Sequence, residues 1–537
     1  MDNNDGIKEV SKKEMEELFH WLFGENIEIR EEQDITLCPY YEDSNIYYTE
    51  EIYQLFQTKA MQRLGKILHL GRTMFQESNA YHTRLEHSKG AYRRCIEFLS
   101  IQYRDPEWRE YIERNKLKGY LVEKIKFMCV HDIGHFILSH STEKLVGEEE
   151  VTHEQIGQKI LEEDLEIKNS YDKIKANESN SNLKGDGALE LFCEGTIDFD
   201  RMDYIVRDRT YLGEEIVEDL MLKLCSMCHL KWIPSEKAYR YVYEKEALPY
   251  IEKFILLRDR MYKCEYNSKR NKIGDVLACY VLQEMNDGKI GQNSKLKTYL
   301  NHIVGKRLEE IKIEEYLNAN DILFLKELME IEETSNDAIV RYLIPNNKEL
   351  LQLAIALLNP QDTSHNDYNE EEREWLKILR NRMKKEHEKV EAGEIFVSIE
   401  LQKDKREKIL EEIKEVSGIK EEKGICSYKR KFKKYDKQEP IYIEDGEIYR
   451  LDQYPKLQID LSDEYHYGVY VIIPQLREEG IDEEKIQKIK QIIEKYQVEE
   501  IEEKKENRNK NRMSMFRVKS GEIDYHKKFN DFFGEGR

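Results

Sequence analysis

The sequence predicts a mainly α-helical protein that carries a small α+β lobe near its C-terminus. Most of its 537 residues lie in segments rich in Leu, Ile, Lys and Glu, in which apolar residues recur at spacings of three and four. This period places the apolar residues on one face of a helix. Apolar and polar side chains alternate mainly after residue 425, as they do in half-buried strands.

The pattern divides the chain into five parts. They are an N-terminal segment (1–50), a helical core (51–290), a helical region (291–425), a strand-rich lobe (426–475) and a charged helix with a tail (476–537). Within the lobe, residues 441–443 and 448–449 flank Asp445-Gly446, which predicts a strand, a turn and a second strand. Residues 467–473 are a further predicted strand.

The composition excludes several classes of protein. The chain has 86 Lys and Arg against 108 Asp and Glu, a net charge of −22. Such an acidic protein repels polyanions, so we expect no strong general nucleic-acid binding and no membrane binding. No window approaches the ~18 continuous apolar residues of a membrane helix, and the N-terminus has no apolar signal core. Nine scattered cysteines are not a disulfide framework. A cytoplasmic protein is predicted.

Histidine is concentrated in one part of the helical core. Seven of the 14 histidines lie between His69 and His153, where a uniform spread would place about two. The local charge also differs, since residues 59–104 contain nine Lys and Arg but three acidic residues, a net of +6. Imidazoles together with guanidiniums indicate a metal beside a bound anion.

The sharpest motif is His131-Asp132, at the end of an apolar helical run. Adjacent side chains on a helix are ~100° apart, so both can approach one metal from a helix edge. His87 and Asp200 are the best candidates for two further ligands, and His135, one turn beyond, could act as an acid or base. Two imidazoles and two carboxylates are compatible with a six-coordinate Mn, Mg, Fe, Co or Ni ion. Taken alone, however, an HD dipeptide is common and a lone helix histidine is usually structural.

Four segments in order are more specific than the dipeptide. They are QRLGKILHLG (62–71), YHTRLEHSKG (81–90), HDIGHFILSH (131–140) and DFDRMDYIVRD (198–208). In these motifs and their spacing the chain resembles the HD-superfamily deoxynucleoside triphosphate triphosphohydrolases, which include bacterial dGTPases and the vertebrate enzyme with SAM and HD domains. The resemblance is strong over residues 51–288 and fainter after residue 426. It implies an HD-domain helical core and hydrolysis of a dNTP to a deoxynucleoside and inorganic triphosphate.

The resemblance also implies the site residues that carry this chemistry. The family's four metal ligands fall on His87, His131, Asp132 and Asp200. Its catalytic histidine falls on His135, with Glu143 in the position of an aspartate partner and His153 as a second histidine of that cluster. Glu143 has a longer side chain than the aspartate of the family but keeps the carboxylate.

Ten further residues are implied to bind the substrate. The three that would contact the phosphates are Arg84, Arg201 and Arg258. The four that would contact the deoxyribose are Tyr204, Asp208, Tyr266 and Leu70. His140 would reach the base or the phosphates. Two positions depart from the family, because His69 stands where relatives often carry a Gln that contacts the sugar, and Tyr262 stands where some members carry a His.

Two other functions are compatible with the sequence. One is a different HD phosphohydrolase, acting on a nucleotide monophosphate, a cyclic dinucleotide or an alarmone, and the other is a non-catalytic nucleotide sensor. By analogy with the family we expect a homo-oligomer, a tetramer or hexamer, and an allosteric nucleotide bound through the region after residue 290. The sequence does not choose between dNTP pool control and antiviral defence.

Overall fold

The fold is taken from a computed structural model of the chain. The structure describes residues 10–34, 45–71, 73, 80–145, 151–177, 195, 197–215, 217–234, 237–266, 268–291, 294–334, 396–401, 403–418, 425–432, 441–444, 447–450 and 464–496. The chain divides into two compact units, of which one comprises residues 1–390 with 433–463 and the other residues 391–432 with 464–537.

Helices build most of the first unit, so the predicted mainly α fold is confirmed. Its helices are α1 (Lys12–Phe23), α2 (Glu50–Gln57), α3 (Lys59–Leu64), α4 (Arg84–Tyr103), α5 (Pro106–Arg114), α6 (Lys118–Val130), α7 (His153–Glu163), α8 (Leu165–Lys173), α9 (Phe199–Tyr211), α10 (Glu218–Ser226), α11 (Leu248–Met261), α12 (Lys269–Asn286), α13 (Leu296–Ile303), α14 (Ile313–Leu317) and α15 (Asp321–Thr334). A π-helical turn, Tyr262–Tyr266, follows α11.

Side-chain caps fix where the helices with site residues begin. Thr83 and Glu86 form a capping box at the start of α4, and Thr152 forms one with Gln155 at the start of α7. Asp198 accepts a hydrogen bond from the backbone of Arg201 and caps α9. Each cap satisfies backbone N–H groups that the first helical turn leaves unpaired. The caps therefore set the positions of the histidines and carboxylates in the first turns.

A close approach of two helices brings these first turns together. Helix α4 packs against α6 and α9, and Gly90 of α4 lies where a Cβ atom would be 1.9 Å from Oδ1 of Asp203 on α9. Only glycine fits at this distance. The missing side chain allows the acidic face of α9 to reach the histidine face of α4.

Two small sheets belong to the first unit. Strands β1 (Ile29–Gln33) and β2 (Asn45–Thr49) form an antiparallel pair with Ile29 opposite Thr49. The second sheet has the order β3-β4-β7-β8, and its strands are Cys228–Ile233, Ala238–Glu244, Ile441–Glu444 and Glu447–Arg450. The strands predicted at 441–443 and 448–449 are confirmed, while the turn between them lies outside the described residues.

The strand-rich segment after residue 425 divides between the two units. Strand β7 pairs in parallel with β4, with Tyr243 opposite Tyr442, so the hairpin joins the helical unit. Alternation in the sequence predicted these strands but carried no information about their distant partner.

The second unit has a three-stranded sheet with the central strand β9 antiparallel to both neighbours. The strands are β5 (Phe396–Leu401), β6 (Ile425–Phe432) and β9 (Glu464–Ile472), in the order β5-β9-β6. The helices are α16 (Lys403–Ser417), α17 (Ile473–Glu478) and one over residues 483–496. Val469 and Val471 of β9 share a buried core with Ile409, Ile413 and Ile489. The predicted charged helix is thus present over 483–496, and it buries an apolar face.

None of the described helices is both long and apolar enough to cross a membrane.

Candidate active site

Two histidine ring nitrogens lie close together within the first unit. Nε2 of His87, on α4, lies 3.2 Å from Nε2 of His131, which directly follows α6. Nδ1 of His131 donates to the carbonyl oxygen of Met128 at 2.9 Å. Because a carbonyl oxygen accepts only, Nδ1 of His131 carries a proton. The other ring nitrogen, Nε2, is the one that faces the imidazole of His87.

The two predicted carboxylates complete this centre. Oδ1 of Asp200 lies 3.0 Å from Nε2 of His87 and 3.8 Å from Nε2 of His131. Oδ2 of Asp132 lies 3.6 Å from Nε2 of His87. All four residues predicted as metal ligands are therefore brought together, although they come from helices α4 and α9 and from the turn after α6, and are up to 113 residues apart.

A third carboxylate, that of Asp203, orients the imidazole of His87 through its other ring nitrogen. Nδ1 of His87 donates to Oδ2 of Asp203 at 2.9 Å, and Asp203 also accepts two hydrogen bonds of 2.9 Å from Arg207. Arg207 pairs in turn with Asp34 at 2.9 Å. These side chains are all buried. A carboxylate behind a metal-binding histidine is the usual device for fixing its tautomer and orientation.

The electrostatics of the centre suit a divalent cation. Burial lowers the pKa of His87, but hydrogen bonds to Asp200 and Asp203 and the charge of Asp132 outweigh it and raise its pKa to about 10. A proton and a metal ion compete for the same Nε2 lone pair. Each of the two imidazoles has Nε2 between 3.0 and 3.8 Å from both carboxylates, and such a set of donors matches a Mn, Mg, Fe, Co or Ni site. The residues present thus fit the metal that the sequence implied, whose identity they leave open.

Asp132 links the metal centre to the guanidinium group of Arg84. Arg84 donates from Nη1 to Oδ2 of Asp132 at 2.8 Å and from Nε to Ser139 at 3.0 Å. Burial raises the pKa of Asp132, but Arg84 and the neighbouring imidazoles hold its pKa well below the ordinary value. Arg84, predicted as a phosphate ligand, lies beside the centre but directs its guanidinium to these protein groups.

A second histidine cluster lies next to the metal centre. The His135 ring stacks on that of His153, with centroids 3.9 Å apart and planes at 15°, and its Nε2 lies 3.2 Å from Oδ1 of Asp132. Glu143 accepts from Nδ1 of His153 at 2.6 Å and from Nδ1 of His140 at 3.0 Å. The three predicted catalytic residues and the partly exposed His140 thus form one group.

The pKa values of the two stacked imidazoles, His135 and His153, are shifted in opposite directions. Burial and the charge of Arg84 lower the pKa of His135 well below its ordinary value, so this ring is neutral. Burial also lowers the pKa of His153, but the hydrogen bond to Glu143 outweighs it and raises that pKa. Nδ1 of His135 is buried without a hydrogen-bond partner in the part of the chain that the structure describes. A neutral, unsatisfied imidazole beside a metal centre can exchange a proton with a bound molecule.

Asp208 and Tyr266, which are predicted to bind the sugar, belong to a group of side chains next to His87. Oδ1 of Asp208 accepts from Nε2 of His82 at 2.7 Å and lies 3.5 Å from Nε2 of His69. Oδ2 of Asp208 accepts from the hydroxyl of Tyr266. The His69 ring is 4.4 Å from that of His87, so this group is continuous with the metal centre.

Two tyrosines extend this group. The ring of Tyr204 lies 6.2 Å from that of Tyr266 and 6.5 Å from that of His87. The Tyr204 hydroxyl is buried, with no hydrogen-bond partner among the described residues. Tyr262 lies 5.0 Å from Tyr266, ring to ring, and Arg258 lies over the Tyr262 ring at 5.5 Å. Phenolic and guanidinium groups thus line one side of the site.

The remaining two predicted substrate residues are placed differently. The guanidinium of Arg201 pairs with Asp198 and with the carbonyl oxygen of Gly195, so it is held at the N-terminus of its own helix. Leu70 is half-buried and directly follows His69.

The positive charge of residues 59–104 is largely engaged within the fold. Lys89 pairs with Glu32, Arg104 with Glu14, and Arg94 with Glu218. Five of the nine basic residues in this segment pair with carboxylates, counting also Arg84 and Arg93. Among the described residues, the local excess of +6 therefore indicated ion pairs within the fold more than a surface for a phosphate chain.

Sequence reasoning missed Asp203 and His82 as parts of the site. Asp203 follows Asp200 by three residues on one helix, so both lie on the same face, and that spacing was the available signal. His82 belongs to the histidine concentration, but its partner Asp208 is 126 residues away. Such a pairing can be identified only once the helices are packed.

Comparison with known proteins gives distant likenesses. No protein-family model matches the chain. An uncharacterized protein of Mycoplasma pneumoniae is 23% identical over 347 residues, which cover 60% of this chain and 78% of that protein. A Dictyostelium discoideum protein named as a deoxynucleoside triphosphate triphosphohydrolase SAMHD1 homolog is 28% identical over 184 residues, 31% of this chain and 35% of that protein.

Two solved structures share the fold. A phosphohydrolase of Bacteroides thetaiotaomicron has a TM-score of 0.53 and 18% identity, covering 83% of this chain and 99% of its own. A hypothetical protein of Aquifex aeolicus has the same TM-score and identity, covering 84% and 98%.

Proposed function

We propose that this chain is a metal-dependent phosphohydrolase whose substrate is a deoxynucleoside triphosphate, cut to the deoxynucleoside and inorganic triphosphate. The observation that carries the proposal is the 3.2 Å approach of the Nε2 atoms of His87 and His131, with Asp132 and Asp200 around them. Two ring nitrogens at this separation need a proton or a cation between them. The fold shared with a phosphohydrolase and the distant triphosphohydrolase relative support the same reaction class.

Each group of the site has a role in this proposal. A divalent metal bound by the four ligands would polarise an α-phosphate oxygen and lower the pKa of a bound water. His135 would accept a proton from the attacking water and pass it to the leaving sugar oxygen, because its ring is neutral and its Nδ1 has no partner among the described residues. Glu143 and His153 hold that imidazole by stacking and by charge.

The choice of a deoxynucleotide depends on the group around Asp208. A carboxylate between two donors, His82 and Tyr266, next to buried phenolic rings is suited to a sugar hydroxyl and an apolar ring edge. Arg258 and Tyr262 lie at the same side of the site. The unsatisfied Tyr204 hydroxyl supplies one further polar group for the ligand.

The experiment is a product analysis. The full chain is incubated with each dNTP and NTP, alone and in pairs, with Mn²⁺ or Mg²⁺, and products are separated by chromatography. Deoxynucleoside with inorganic triphosphate is the expected result. Pyrophosphate or monophosphate as product would contradict it and would favour another HD phosphohydrolase, for which cyclic dinucleotides, nucleotide monophosphates and alarmones are assayed in parallel.

A matched pair of variants ties turnover to the metal centre. His131→Ala should abolish turnover and lower the bound metal measured by elemental analysis, because it removes one Nε2 ligand. His229→Ala is the control, since His229 is a partly exposed histidine that pairs with Glu244 at 2.8 Å on the β3–β4 hairpin. Near-normal turnover of the His131 variant at saturating metal would refute the ligand assignment. The homo-oligomer and the allosteric nucleotide stay predictions.

A further inference from the structure

Helix α14 and the turn after it contact the loop that contains the proposed catalytic histidine. The hydroxyl of Tyr316 donates to the carbonyl oxygen of Gly134 at 2.7 Å. Arg63 bridges the same two segments, because its Nε donates to the carbonyl oxygen of Ala319 and its Nη1 to that of His135, both at 2.8 Å. The guanidinium also lies over the Tyr316 ring at 4.6 Å. Two consecutive carbonyl groups of the catalytic loop are thus held by side chains outside it.

Asp321, the first residue of α15, contacts the far end of the same loop. Its Oδ1 accepts from the backbone N–H of Leu138 at 2.7 Å, and its Oδ2 accepts from that of Leu68 at 2.8 Å. Ser139 reinforces this connection by donating to the carbonyl oxygen of Leu68 at 2.6 Å. Leu68 precedes the predicted substrate residue His69. One carboxylate therefore ties together two neighbouring backbone segments, one that precedes His69 and one that follows His135.

Burying polar and charged side chains costs free energy, so the burial of these three argues against incidental packing. Asp321 and Tyr316 are fully buried and Arg63 is nearly so. Burial raises the pKa of Asp321 to about 7, although hydrogen bonds from two backbone N–H groups and the charge of Arg63 oppose the rise. In addition, Leu138 has φ 55° and Ser139 has φ 54°. Residues other than glycine hold this left-handed conformation only when their surroundings impose it.

We propose that Tyr316, Arg63 and Asp321 are positioning residues, which hold the loop of residues 131–139 so that His135 stays between Asp132 and His153. Their effect on turnover rests on the proposed phosphohydrolase function, whereas their effect on the loop does not. The inference also assigns part of the region after residue 290 to the catalytic machinery, at a distance from any substrate contact.

The test combines a structural and a kinetic readout on the full chain. Tyr316→Phe removes only the hydroxyl that bonds Gly134, and Asp321→Asn keeps the shape but turns one of two acceptors into a donor that opposes an N–H group. Tyr92→Phe is the matched control, because Tyr92 is equally buried and its hydroxyl donates to another backbone carbonyl, that of Tyr47, at 2.6 Å. Amide hydrogen exchange is followed in peptides that cover residues 131–140.

We expect both variants to exchange faster than wild type in these peptides, and Tyr92→Phe not to do so. With a dNTP that the wild type hydrolyses, kcat of Tyr316→Phe should fall about tenfold while KM stays unchanged. This split follows because the lost bond is on Gly134, next to His135, whereas the groups proposed to bind the sugar lie outside the loop.

Other outcomes overturn the proposal. Unchanged exchange in residues 131–140 of both variants would show that the loop does not depend on these contacts. Faster exchange with unchanged kcat would reduce the three residues to a structural role. If the wild type hydrolyses none of the nucleotides assayed, the proposed function fails, and the exchange experiment alone still decides whether the loop is held as described.

Discussion

Asp203 accepts a hydrogen bond from Nδ1 of His87 at 2.9 Å, and this contact sets the imidazole so that its Nε2 faces His131 and Asp200. Asp203→Asn should weaken Mn²⁺ binding by about 10- to 100-fold, because the amide cannot support the charge that metal binding places on the ring. Isothermal titration calorimetry of the metal-free chain with Mn²⁺ measures this. Turnover at limiting metal should fall in parallel.

The control for this variant is Asp219→Asn, which changes an exposed aspartate at the start of α10. It should bind Mn²⁺ as wild type does. An Asp203→Asn protein with wild-type affinity would mean that His87 is held by its helix alone, and that the carboxylate behind it is part of the packing only.

Gly134 provides a test of how the second histidine cluster is assembled. A Cβ atom there would lie 2.0 Å from the carbonyl oxygen of His153 and 2.3 Å from the backbone nitrogen of Gly157. Gly134→Ala must therefore separate the loop from α7 and move His153 off His135. We expect a stability loss of about 1–3 kcal/mol from overpacking and a large fall in kcat. Urea unfolding and steady-state kinetics measure the two effects.

Gly157→Ala is the matched control, because Gly157 is the residue of α7 that contacts Gly134. Its Cβ atom would meet Ile133 Cγ2 at 3.3 Å and the nitrogen of Gly134 at 3.5 Å, which small side-chain shifts can absorb. Because alanine is the better helix former by roughly 0.5–1 kcal/mol, this variant should be about as stable as wild type. Equal losses in the two variants would contradict the geometry described.

Glu218 makes stability depend on pH in a defined direction. Burial raises its pKa, but the charges of Arg94 and Arg93 outweigh burial and lower it to about 2, against an ordinary value of 4.5. The carboxylate accepts from Nη2 of Arg93 and Nη1 of Arg94, both at 2.6 Å. Since the pKa is lower in the folded state, the stabilisation is complete above pH 4.5 and is lost as pH falls towards 2.

Glu218→Gln should therefore lower the free energy of unfolding by about 1–3 kcal/mol at pH 7, because it removes one of the two carboxylates, Glu218 and Glu97, that pair with both buried guanidiniums. Between pH 5.5 and 4 its stability should also vary less than that of wild type. Urea unfolding over this range measures both quantities. Glu163→Gln, which removes a half-exposed pair with Lys159, serves as the control and should leave the unfolding midpoint unchanged.

The sequence was sufficient to identify the groups of the site that lie close together along the chain. His131-Asp132, with His135 one turn beyond, lie at the end of one apolar run, and they became a specific prediction of a metal site only together with the three other motifs. His87 and Asp200 followed from the spacing of whole motifs. The structure brings all four predicted ligands together, and Glu143 and His153 lie against His135.

The ion-pair and strand partners that could not be predicted are those that meet only when distant elements pack together. The charge of residues 59–104 suggested a phosphate surface, but Arg93 and Arg94 meet Glu218 only after α4 packs against α10. In the same way, strand alternation predicted the hairpin after residue 440 but not its parallel partner β4. Local periodicity reports which face of an element is buried and carries no information about what covers it.

Tyr266 gives a test of the proposed sugar group that separates binding from chemistry. Its hydroxyl donates to Asp208, on the carboxylate oxygen that His82 does not occupy. Tyr266→Phe should raise KM for a dNTP by about tenfold, the effect of one hydrogen bond at a binding site, while kcat stays near wild type. Tyr211→Phe is the control, because this hydroxyl nearby donates to Glu86 at 3.0 Å while the ring stacks on His82. Steady-state kinetics with Mn²⁺ measure both variants, and an unchanged KM in Tyr266→Phe, or an equal rise in Tyr211→Phe, would remove Asp208 and Tyr266 from the sugar site.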